Sequence, residues 1–381
     1  MKKKVLIITG ARSEYGLLKP VFLEMQKSKK IEPLLLVTGM HTLKKHGYTV
    51  NEVKNDGIPI AHVASISEDD DMLSALASEI TSIKKYCIAN KPNLILVNGD
   101  RDESFAGAIV SGHLKIPLGH IHGGDVTGFV VDEYIRHATT KFAHLHFTAS
   151  PASYRRVLKL GEEKWRVFCT GSTGLDRYSD MGFLPKEDLA KKYNLNLNKK
   201  WFLVIHHPTP LDKISIKQQI NPLLASLADS KDTEKIVIYP NSDMGSKLFI
   251  KEINRYKNRQ DFHIYPNVSL KDHASFMKNV NILIGNSSSG IIEAAYFKLP
   301  VVNIGNRQRG RERDNNVINC AYDRESIEKS ITLASSAKFV KDCKKIRSLY
   351  KSGASKKIVK IIEQNIDKKN LFLKEFTYSK I

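Results

Sequence analysis

Residues 5–10 of the chain read Val5-Leu6-Ile7-Ile8-Thr9-Gly10, a short uninterrupted apolar run that ends in a glycine. An amphipathic stretch from about Tyr15 to Lys27 follows it. A continuous apolar run is typical of a strand that is buried on both faces of a parallel sheet, and the amphipathic stretch is typical of a helix that covers such a sheet. The opening of the chain therefore predicts a β-α unit.

The same pattern recurs in both halves of the chain. Similar apolar runs lie at residues 33–37, 94–97, 116–120 and 145–148, and, after a polar segment at 184–200, at residues 201–205, 235–239, 262–265, 281–285 and 301–304. We expect an α/β fold with two Rossmann-like, doubly wound parallel-sheet domains. The first covers residues 1–180 and is joined by a C-terminal helix, residues 356–381, while the second covers residues 181–355.

Composition narrows the class of protein. The chain has 381 residues, four scattered cysteines and a formal net charge of +20. No apolar run approaches the roughly 18 residues that a membrane span needs, so we expect a soluble, cytoplasmic protein with no membrane partner. Most lysines are dispersed over helical stretches, where solvated faces explain them, and a role in nucleic-acid binding is the least favoured interpretation.

Ligands of open α/β sheets bind beyond the carboxyl ends of the strands, so the loops after the apolar runs are where chemistry is expected. One such loop reads Asn98-Gly99-Asp100-Arg101-Asp102-Glu103, and the next reads His120-Ile121-His122-Gly123-Gly124-Asp125. Histidines and carboxylates together supply an acid and a base. A metal site built on the His-x-His pair is the rival interpretation, but the sequence offers no obvious third ligand at a fixed spacing. We predict acid/base chemistry here and no metal.

The second half carries an anion-binding pattern. Asn286-Ser287-Ser288-Ser289-Gly290 lies where an apolar run meets a predicted helix, and Glu293 follows one turn later. Hydroxyl and backbone N–H groups at a helix start suit a diphosphate, and Glu293 suits ribose hydroxyls. An ordinary capping box would explain one serine but not three.

Arginines and other polar side chains extend this pattern. Arg307, Arg309, Arg311 and Arg313 alternate in one loop after the run 301–304, which suggests a phosphate-neutralising lid, with RNA contact or a solvated loop as the alternatives. Four further positions have side chains that suit a phosphate, a ribose or a base: Arg12, His207, Asn241 and Ser242.

Taken together, these loops resemble the UDP-N-acetylglucosamine 2-epimerases, particularly the hydrolysing branch that supplies N-acetylmannosamine for sialic-acid-type sugars. The likeness spans nearly the whole chain. It is carried by Gly99-Asp100-Arg101, Gly123-Gly124 with Val126-Thr127-Gly128, Ile135-Arg136-His137, His207-Pro208, Pro240-Asn241-Ser242-Asp243, Asn286-Ser287-Ser288-Ser289-Gly290 and Asn303-Ile304-Gly305 through Gly310-Arg311.

The resemblance implies a glycosyltransferase-B-like architecture whose two domains face a cleft. It places catalytic carboxylates at Asp100 and at the pair Asp132 and Glu133. Many members carry a glutamate where this chain has His122, so His122 and Asp125 both remain candidates for the general base. The expected substrate-binding residues, with those of the loop patterns included, are Arg12, Arg101, His207, Asn241, Ser287, Ser288, Ser289, Gly290, Glu293, Arg307, Arg311 and Arg313.

The activity implied is hydrolysing 2-epimerisation of UDP-GlcNAc or a related nucleotide-activated N-acetylhexosamine. Anti elimination of UDP and rehydration give N-acetylmannosamine or its analogue, with no metal or redox cofactor. The expected partner is the UDP-sugar alone, bound by a homodimer or homotetramer. The alternatives are a non-hydrolysing 2-epimerase, a glycosyltransferase of the same fold and, last, a nucleic-acid-binding protein.

Overall fold

A computed structural model describes residues 1–126, 131–179, 181–210, 212–240 and 244–377 of the chain. The chain divides into two compact units, Met1–Ser179 with Tyr350–Ile381 and Asp180–Leu349. Within the described ranges each unit is built on one wholly parallel sheet flanked by helices. The predicted α/β class with two doubly wound parallel sheets is confirmed.

Unit 1 has a seven-stranded sheet over the residues that are described, in the order β3-β2-β1-β4-β5-β6-β7. Its strands are β1 (Lys3–Thr9), β2 (Ile31–Val37), β3 (Ile60–Val63), β4 (Leu94–Asn98), β5 (Leu118–Ile121), β6 (Leu145–Thr148) and β7 (Val167–Cys169). Its helices are α1 (Arg12–Gln26), α2 (Val50–Asn55), α3 (Met72–Asn90), α4 (Asp102–Leu114), α5 (Val131–Phe142), α6 (Pro151–Lys159), α7 (Thr173–Asp176) and α15 (Ala354–Asn365). The strand order reverses between β1 and β4, which is where doubly wound folds place their ligand.

The burial of β1 on both faces explains why its residues from Val5 to Ile8 are all apolar. Val5 and Ile7 belong to one buried cluster, together with α1 and α15, while Leu6 and Ile8 belong to another on the opposite face, with α3 and α4. Successive side chains of a strand point to opposite faces, so a strand covered on both faces has no polar position. Each of these four side chains is fully buried, a gain of about 1.5–3 kcal/mol apiece.

Unit 2 repeats the arrangement with six strands among its described residues, in the order β10-β9-β8-β11-β12-β13. The strands are β8 (Lys200–Ile205), β9 (Thr233–Ile238), β10 (Phe262–Tyr265), β11 (Ile282–Gly285), β12 (Val301–Ile304) and β13 (Val317–Cys320). The helices are α8 (Lys186–Tyr193), α9 (Ile216–Asp229), α10 (Ser246–Ile253), α11 (Leu270–Asn279), α12 (Ser289–Ile292), α13 (Arg324–Ala334) and α14 (Ala337–Lys345). The order reverses between β8 and β11, so the loops after these two strands adjoin.

The C-terminal helix is shorter than the sequence predicted. Helix α15 ends at Asn365, and residues 366–377 contain turns and irregular backbone. The fully buried Arg166 donates hydrogen bonds to the carbonyl of Leu371 at 2.6 Å and to that of Leu373. Carbonyls that accept from this arginine do not take part in helical hydrogen bonds, so the prediction of a helix over 356–381 is wrong for residues 366–377, and residues 378–381 lie outside the described residues.

Candidate active site

A buried arginine joins the loops that follow β4 and β5. Arg136 on α5 forms an ion pair with Asp100, and its Nη1 donates to the carbonyl of His122 at 3.4 Å. Arg136 is 4% exposed, and a charge buried to that degree is strongly destabilising without its partner. The ion pair therefore fixes Asp100 in relation to His122. In the sequence, Arg136 appeared only as part of the resemblance, because nothing in its spacing separates it from a helical surface residue.

His122 is held in an unusual conformation directly after β5. Its φ of +62° lies in the left-handed region, which residues other than glycine rarely adopt. Nδ1 of the ring lies 2.9 Å from Oδ2 of Asp125, and Oδ1 of Asp125 accepts a hydrogen bond of 2.6 Å from the hydroxyl of Ser153 on α6. Nε2 is buried and has no hydrogen-bond partner among the described residues. An unpaired buried nitrogen is costly, so it marks a position where a ligand is expected.

The environment of Asp125 keeps it ionised. Burial raises the pKa of this carboxyl, but the hydrogen bond and charge of His122, the charge of Arg136 and the Ser153 hydroxyl outweigh burial and lower the pKa to about 2. A carboxylate at Nδ1 favours the tautomer that carries its proton there, because the carboxylate can only accept. In that tautomer Nε2 is an acceptor.

The two acidic residues at the start of α5 differ in their surroundings. Burial, followed by the charge of Asp100, raises the pKa of Asp132, although Arg101 and Arg136 partly offset the effect. Oε1 of Glu133 lies 3.2 Å from Nε2 of His137. Asp132 therefore retains a proton more readily than an ordinary aspartate.

His120 has a different environment from His122. Its Nε2 lies 2.7 Å from the carbonyl of Gly99 and its Nδ1 lies 3.2 Å from the hydroxyl of Thr140. Burial lowers the pKa of His120 to about 3, so the ring is neutral and joins the ends of neighbouring strands.

In the part of the chain that the structure describes, no group of three or more His, Cys, Asp or Glu side chains is arranged to hold a metal ion.

The two arginines predicted to contact the nucleotide sugar in unit 1 are held by carboxylates. Arg12 is largely exposed, and its Nε lies 3.0 Å from Oε2 of Glu52. Nε of Arg101 lies 2.7 Å from Oε1 of the buried Glu103. The side chain of Arg12 is therefore exposed to solvent, whereas the orientation of Arg101 is set by its ion pair with Glu103.

A second buried carboxyl lies beside Glu103. Glu14 accepts a hydrogen bond of 2.9 Å from the N–H of Gly10 and another of 3.3 Å from the hydroxyl of Ser104. A Cβ atom on Gly10 would lie 2.2 Å from the carboxyl carbon of Glu103, so only glycine fits between the two acids. Burial, then the charge of Glu103, raises the pKa of Glu14 well above its usual range. Glu103 belongs to the predicted loop after β4, whereas Glu14 has no sequence motif that would assign it to this region.

In unit 2, Asn286 ties three strand ends together. Its Oδ1 accepts from the N–H of His207 at 2.7 Å, its Nδ2 donates to the carbonyl of His207 at 2.8 Å, and its own carbonyl accepts from Gln308 at 2.8 Å. The preceding Gly285 has a φ of +135°, and a Cβ there would lie 2.0 Å from the carbonyl oxygen of Ile205. This close approach of β11 to the end of β8 requires glycine.

The serine segment lies at the start of helix α12, which begins at Ser289. Ser287 Oγ accepts from the hydroxyl of Ser289 at 2.9 Å and from its N–H at 3.3 Å, and Ser288, the residue before α12, makes no side-chain capping bond. The capping box with Glu293 is absent from these described residues, since Glu293 directly follows the helix. Helix α12 spans only four residues, so a contribution from its dipole is small and the hydroxyls are the main donors.

The arginine loop folds back on itself. Arg307 Nη1 donates to the carbonyl of Asn286 at 3.3 Å, and Arg313 donates to the carbonyls of Gln308 at 2.5 Å and Arg311 at 3.3 Å. Arg313 also lines a pocket of about 540 Å³ beside β13. The loop thus brings guanidinium groups to the carboxyl ends of β11 and β12. Asn241 and Ser242 lie outside the described residues.

These features define a class of protein: an enzyme of two Rossmann-like units, in which one unit presents paired acid/base groups at its strand ends and the other presents amide, hydroxyl and guanidinium donors. The family model described as UDP-N-acetylglucosamine 2-epimerase matches residues 23–363. The chain belongs to this family.

Named relatives are similar along most of their length. The chain is 36% identical over 331 residues to a UDP-N,N'-diacetylbacillosamine 2-epimerase (hydrolyzing) of Legionella pneumophila, covering 86% of this chain and 87% of the relative. It is 33% identical over 380 residues to the polysialic acid biosynthesis protein P7 of Escherichia coli, covering 98% and 97%. The crystal structure of UDP-GlcNAc 2-epimerase from Neisseria meningitidis bound to UDP-GlcNAc shares the fold, with a TM-score of 0.81, 20% identity and coverage of 95% and 100%.

None of the helices in the described ranges has both the length and the apolar character needed to span a bilayer.

Proposed function

We propose that the protein is a hydrolysing 2-epimerase that converts UDP-GlcNAc, or a related UDP-activated N-acetylhexosamine, to N-acetylmannosamine or its analogue and UDP. The observation that carries the proposal is a pair of candidate acid/base groups in unit 1: His122, whose Nε2 is buried and has no hydrogen-bond partner among the described residues, and Asp132, whose pKa is raised by burial and by the charge of Asp100. An inversion at carbon 2 needs a base on one face of the sugar and an acid on the other. Hydrolysing 2-epimerases are among the relatives at 36% and 33% identity.

The chemistry proceeds by elimination and rehydration. A base in unit 1 removes the proton on carbon 2 while the bond between carbon 1 and the diphosphate oxygen breaks. The resulting glycal then accepts a proton at carbon 2 on its opposite face and the hydroxide of water at carbon 1. Asp132 suits the donation of that proton, and Asp100, held by Arg136, and Glu133 are assigned to the same group of acid/base residues.

Unit 2 stabilises the leaving group in this proposal. In the proposal the diphosphate lies against Ser287, Ser288, Ser289 and Gly290, where serine hydroxyls can donate hydrogen bonds to it, and its charge is offset by guanidinium groups. The other nucleotide contacts that we assign in the proposal are Arg12, Arg101, His207, Asn241, Glu293, Arg307, Arg311 and Arg313.

The identity of the sugar is the finer part of the proposal. UDP-GlcNAc is our first candidate, with its product serving the synthesis of sialic-acid-type sugars, in line with the name of the Escherichia coli relative. UDP-N,N'-diacetylbacillosamine is the second, because the Legionella pneumophila relative is named for it. We further propose a cytoplasmic homodimer or homotetramer, which sedimentation velocity would measure.

The test uses the purified protein with each UDP-sugar in D₂O, followed by NMR. We expect stoichiometric UDP, a free 2-epimerised sugar and deuterium on carbon 2. A UDP-sugar of inverted configuration as the sole product would assign a non-hydrolysing epimerase. Retention of the carbon-2 proton, with transfer of the sugar to an added acceptor, would assign a glycosyltransferase. Unchanged forms of both substrates would refute the proposal.

A further inference from the structure

We infer that Nε2 of His122 is the atom that removes the proton from carbon 2, and that Asp125 and Ser153 are positioning residues that hold the imidazole for this task. The inference rests on the proposed function and selects one base from the candidates that the sequence left open. It assigns a role to Ser153, which no sequence motif indicated.

Hydrogen bonds on the Nδ1 side of the imidazole, opposite Nε2, fix the orientation of the ring. Nδ1 is bound to Asp125 Oδ2 at 2.9 Å, and Asp125 Oδ1 is bound to the Ser153 hydroxyl at 2.6 Å. The backbone of His122 is fixed as well, because its N–H donates to the carbonyl of Phe147 at 2.9 Å and its carbonyl accepts from Arg136. The left-handed φ of +62° is tolerated only because these bonds over-determine it.

Helix α6 supplies the rigid support. The N–H of Ser153 donates to the hydroxyl of Ser150, the residue that caps the helix, at 3.2 Å. Arg156, one turn later, donates to the carbonyl of Gly124 and, at 3.4 Å, to the Ser153 hydroxyl. A Cβ on Gly124 would lie 2.4 Å from the carbonyl oxygen of Ser153, so the loop and the helix are in direct contact. The orientation of the ring therefore depends on a helix 28 residues further along the chain.

Asp125 is unsuited to be the base itself. Both of its oxygens are engaged, whereas Nε2 of His122 is buried and lacks a hydrogen-bond partner in the described part of the chain. The same bonds keep the pKa of Asp125 low, at about 2, so it has little tendency to accept a proton near neutrality.

The proton and electron balance is complete. The electron pair of the carbon-2 C–H bond forms the double bond to carbon 1, and the pair of the carbon-1 C–O bond leaves with UDP. The proton goes to Nε2, and the imidazolium is stabilised by the charge of Asp125. Water then supplies hydroxide to carbon 1, Asp132 supplies the proton to carbon 2 on the other face, and Asp132 is reprotonated by the proton left from that water. The imidazolium releases its proton to solvent.

Three variants of the full chain test the inference. Asp125→Asn can donate its amide to Nδ1 and so moves the ring proton to Nε2, which blocks the base; we expect kcat to fall about 10²- to 10⁴-fold with little change in KM. His122→Asn removes Nε2 yet keeps a residue that tolerates a left-handed φ, and it should fall by a similar factor. Ser153→Ala should lose about tenfold or less. Asp342→Asn, on the exposed face of α14, is the matched control.

Readouts beyond activity separate positioning from loss of fold. Substrate deuterated at carbon 2 should show a larger isotope effect in Asp125→Asn than in wild type. With ¹⁵N-labelled histidine, the resonance absent from His122→Asn should report the Nδ1–H tautomer in wild type and the Nε2–H tautomer in Asp125→Asn.

Each outcome decides a claim. If wild type converts substrate and either Asp125→Asn or His122→Asn retains its rate, the base lies elsewhere and the inference is overturned. If the ¹⁵N spectra show an Nε2–H tautomer in wild type, it is overturned without reference to turnover. If wild type neither releases UDP nor exchanges the carbon-2 proton, the proposed function fails first and the inference fails with it.

Discussion

A buried carboxylate in unit 1 offers a sharp test of the electrostatics of the fold. Glu162 has a fully buried side chain, with its two oxygens 2.6 Å from Nζ of Lys141 and 2.7 Å from Nζ of Lys374. Nε2 of His146 lies 3.1 Å away. Burial raises the pKa of Glu162, but the hydrogen bond and charge of His146 and the charges of the two lysines lower it to about 2, from 4.5.

The magnitude follows from that difference. At about 1.4 kcal/mol per unit of pH, the lowered pKa corresponds to about 3 kcal/mol of stability at pH 7. Glu162→Gln removes the charge while it keeps the shape, and it leaves Lys374, which is largely buried, without its carboxylate. We therefore expect the free energy of unfolding of unit 1 to fall by about 3 kcal/mol, within the range found when a buried pair loses one partner.

The dependence on pH has a definite sign. A folded-state pKa below the unfolded value contributes stability that is present above about pH 4.5 and is lost as the pH falls towards 2. The difference between wild type and Glu162→Gln should therefore be constant from pH 6 to 7 and shrink below pH 4.5. Glu325→Gln, which breaks an exposed ion pair with Lys329, is the matched control and should change stability by about 0.5 kcal/mol or less.

Urea unfolding followed by circular dichroism gives the free energies, and hydrogen exchange of peptides that cover β6 assigns the loss to unit 1. Equal stability of Glu162→Gln and Glu325→Gln at pH 7 would refute the reasoning. So would a difference that grows as the pH falls from 4.5 to 2.

Two further changes test the packing around the proposed active site. Gly285→Ala should destabilise unit 2 by about 3 kcal/mol or more in urea unfolding, because the added methyl group overlaps a backbone carbonyl at a φ of +135°. The control is Gly182→Ala, where a Cβ meets nothing within 4 Å, and it should change the free energy of unfolding by no more than about 0.5 kcal/mol. Equal effects of the two substitutions would contradict this account. Glu103→Gln should raise KM for the nucleotide sugar about tenfold, since it removes the charge that orients Arg101. Glu14→Gln, which resembles a protonated side chain, should stay within about twofold in the same steady-state assay, and the reverse ranking would show that Glu14 carries the charge.

The buried strands were predictable from sequence. The three strands that were not predicted all lie at the edges of the sheets. Strands such as β1, β4 and β8 are buried on both faces and read as continuous apolar runs. The unpredicted strands are β3, β7 and β13, and each is the last strand at one edge of its sheet. Their residues are mostly half-buried or exposed, and strand β3 reads Ile60-Ala61-His62-Val63. An edge strand has one neighbour and one open side, so it can be only partly buried and lack a continuous apolar run, as these three do; the edge strand β10 was predicted at residues 262–265.

The loops of the site were predictable for the same reason as the strands, since each follows an apolar run. The sequence could not predict how the side chains in these loops are oriented. The choice between His122 and Asp125 depends on a left-handed φ and on a hydroxyl from α6, and neither has a local signal. Likewise, the predicted helix of residues 356–381 ends early, at Asn365, and carbonyls beyond that point accept hydrogen bonds from Arg166, which lies some 200 residues earlier in the chain.

The sequence contains a further signal, for a buried acidic residue on helix α3. Glu79, Ile83 and Cys87 are spaced four residues apart, and they are the buried residues of α3. A glutamate on an apolar stripe is costly unless it is paired or neutral. Burial, then the charges of Glu103 and Asp102, raises the pKa of Glu79 to about 8, so it is neutral near pH 7. The pKa of Glu14 is also raised, well above its usual range, while Glu103 forms the ion pair with Arg101. The charge balance of this end of unit 1 thus depends on two carboxyls with raised pKa values, which a formal count of charged residues treats as anions.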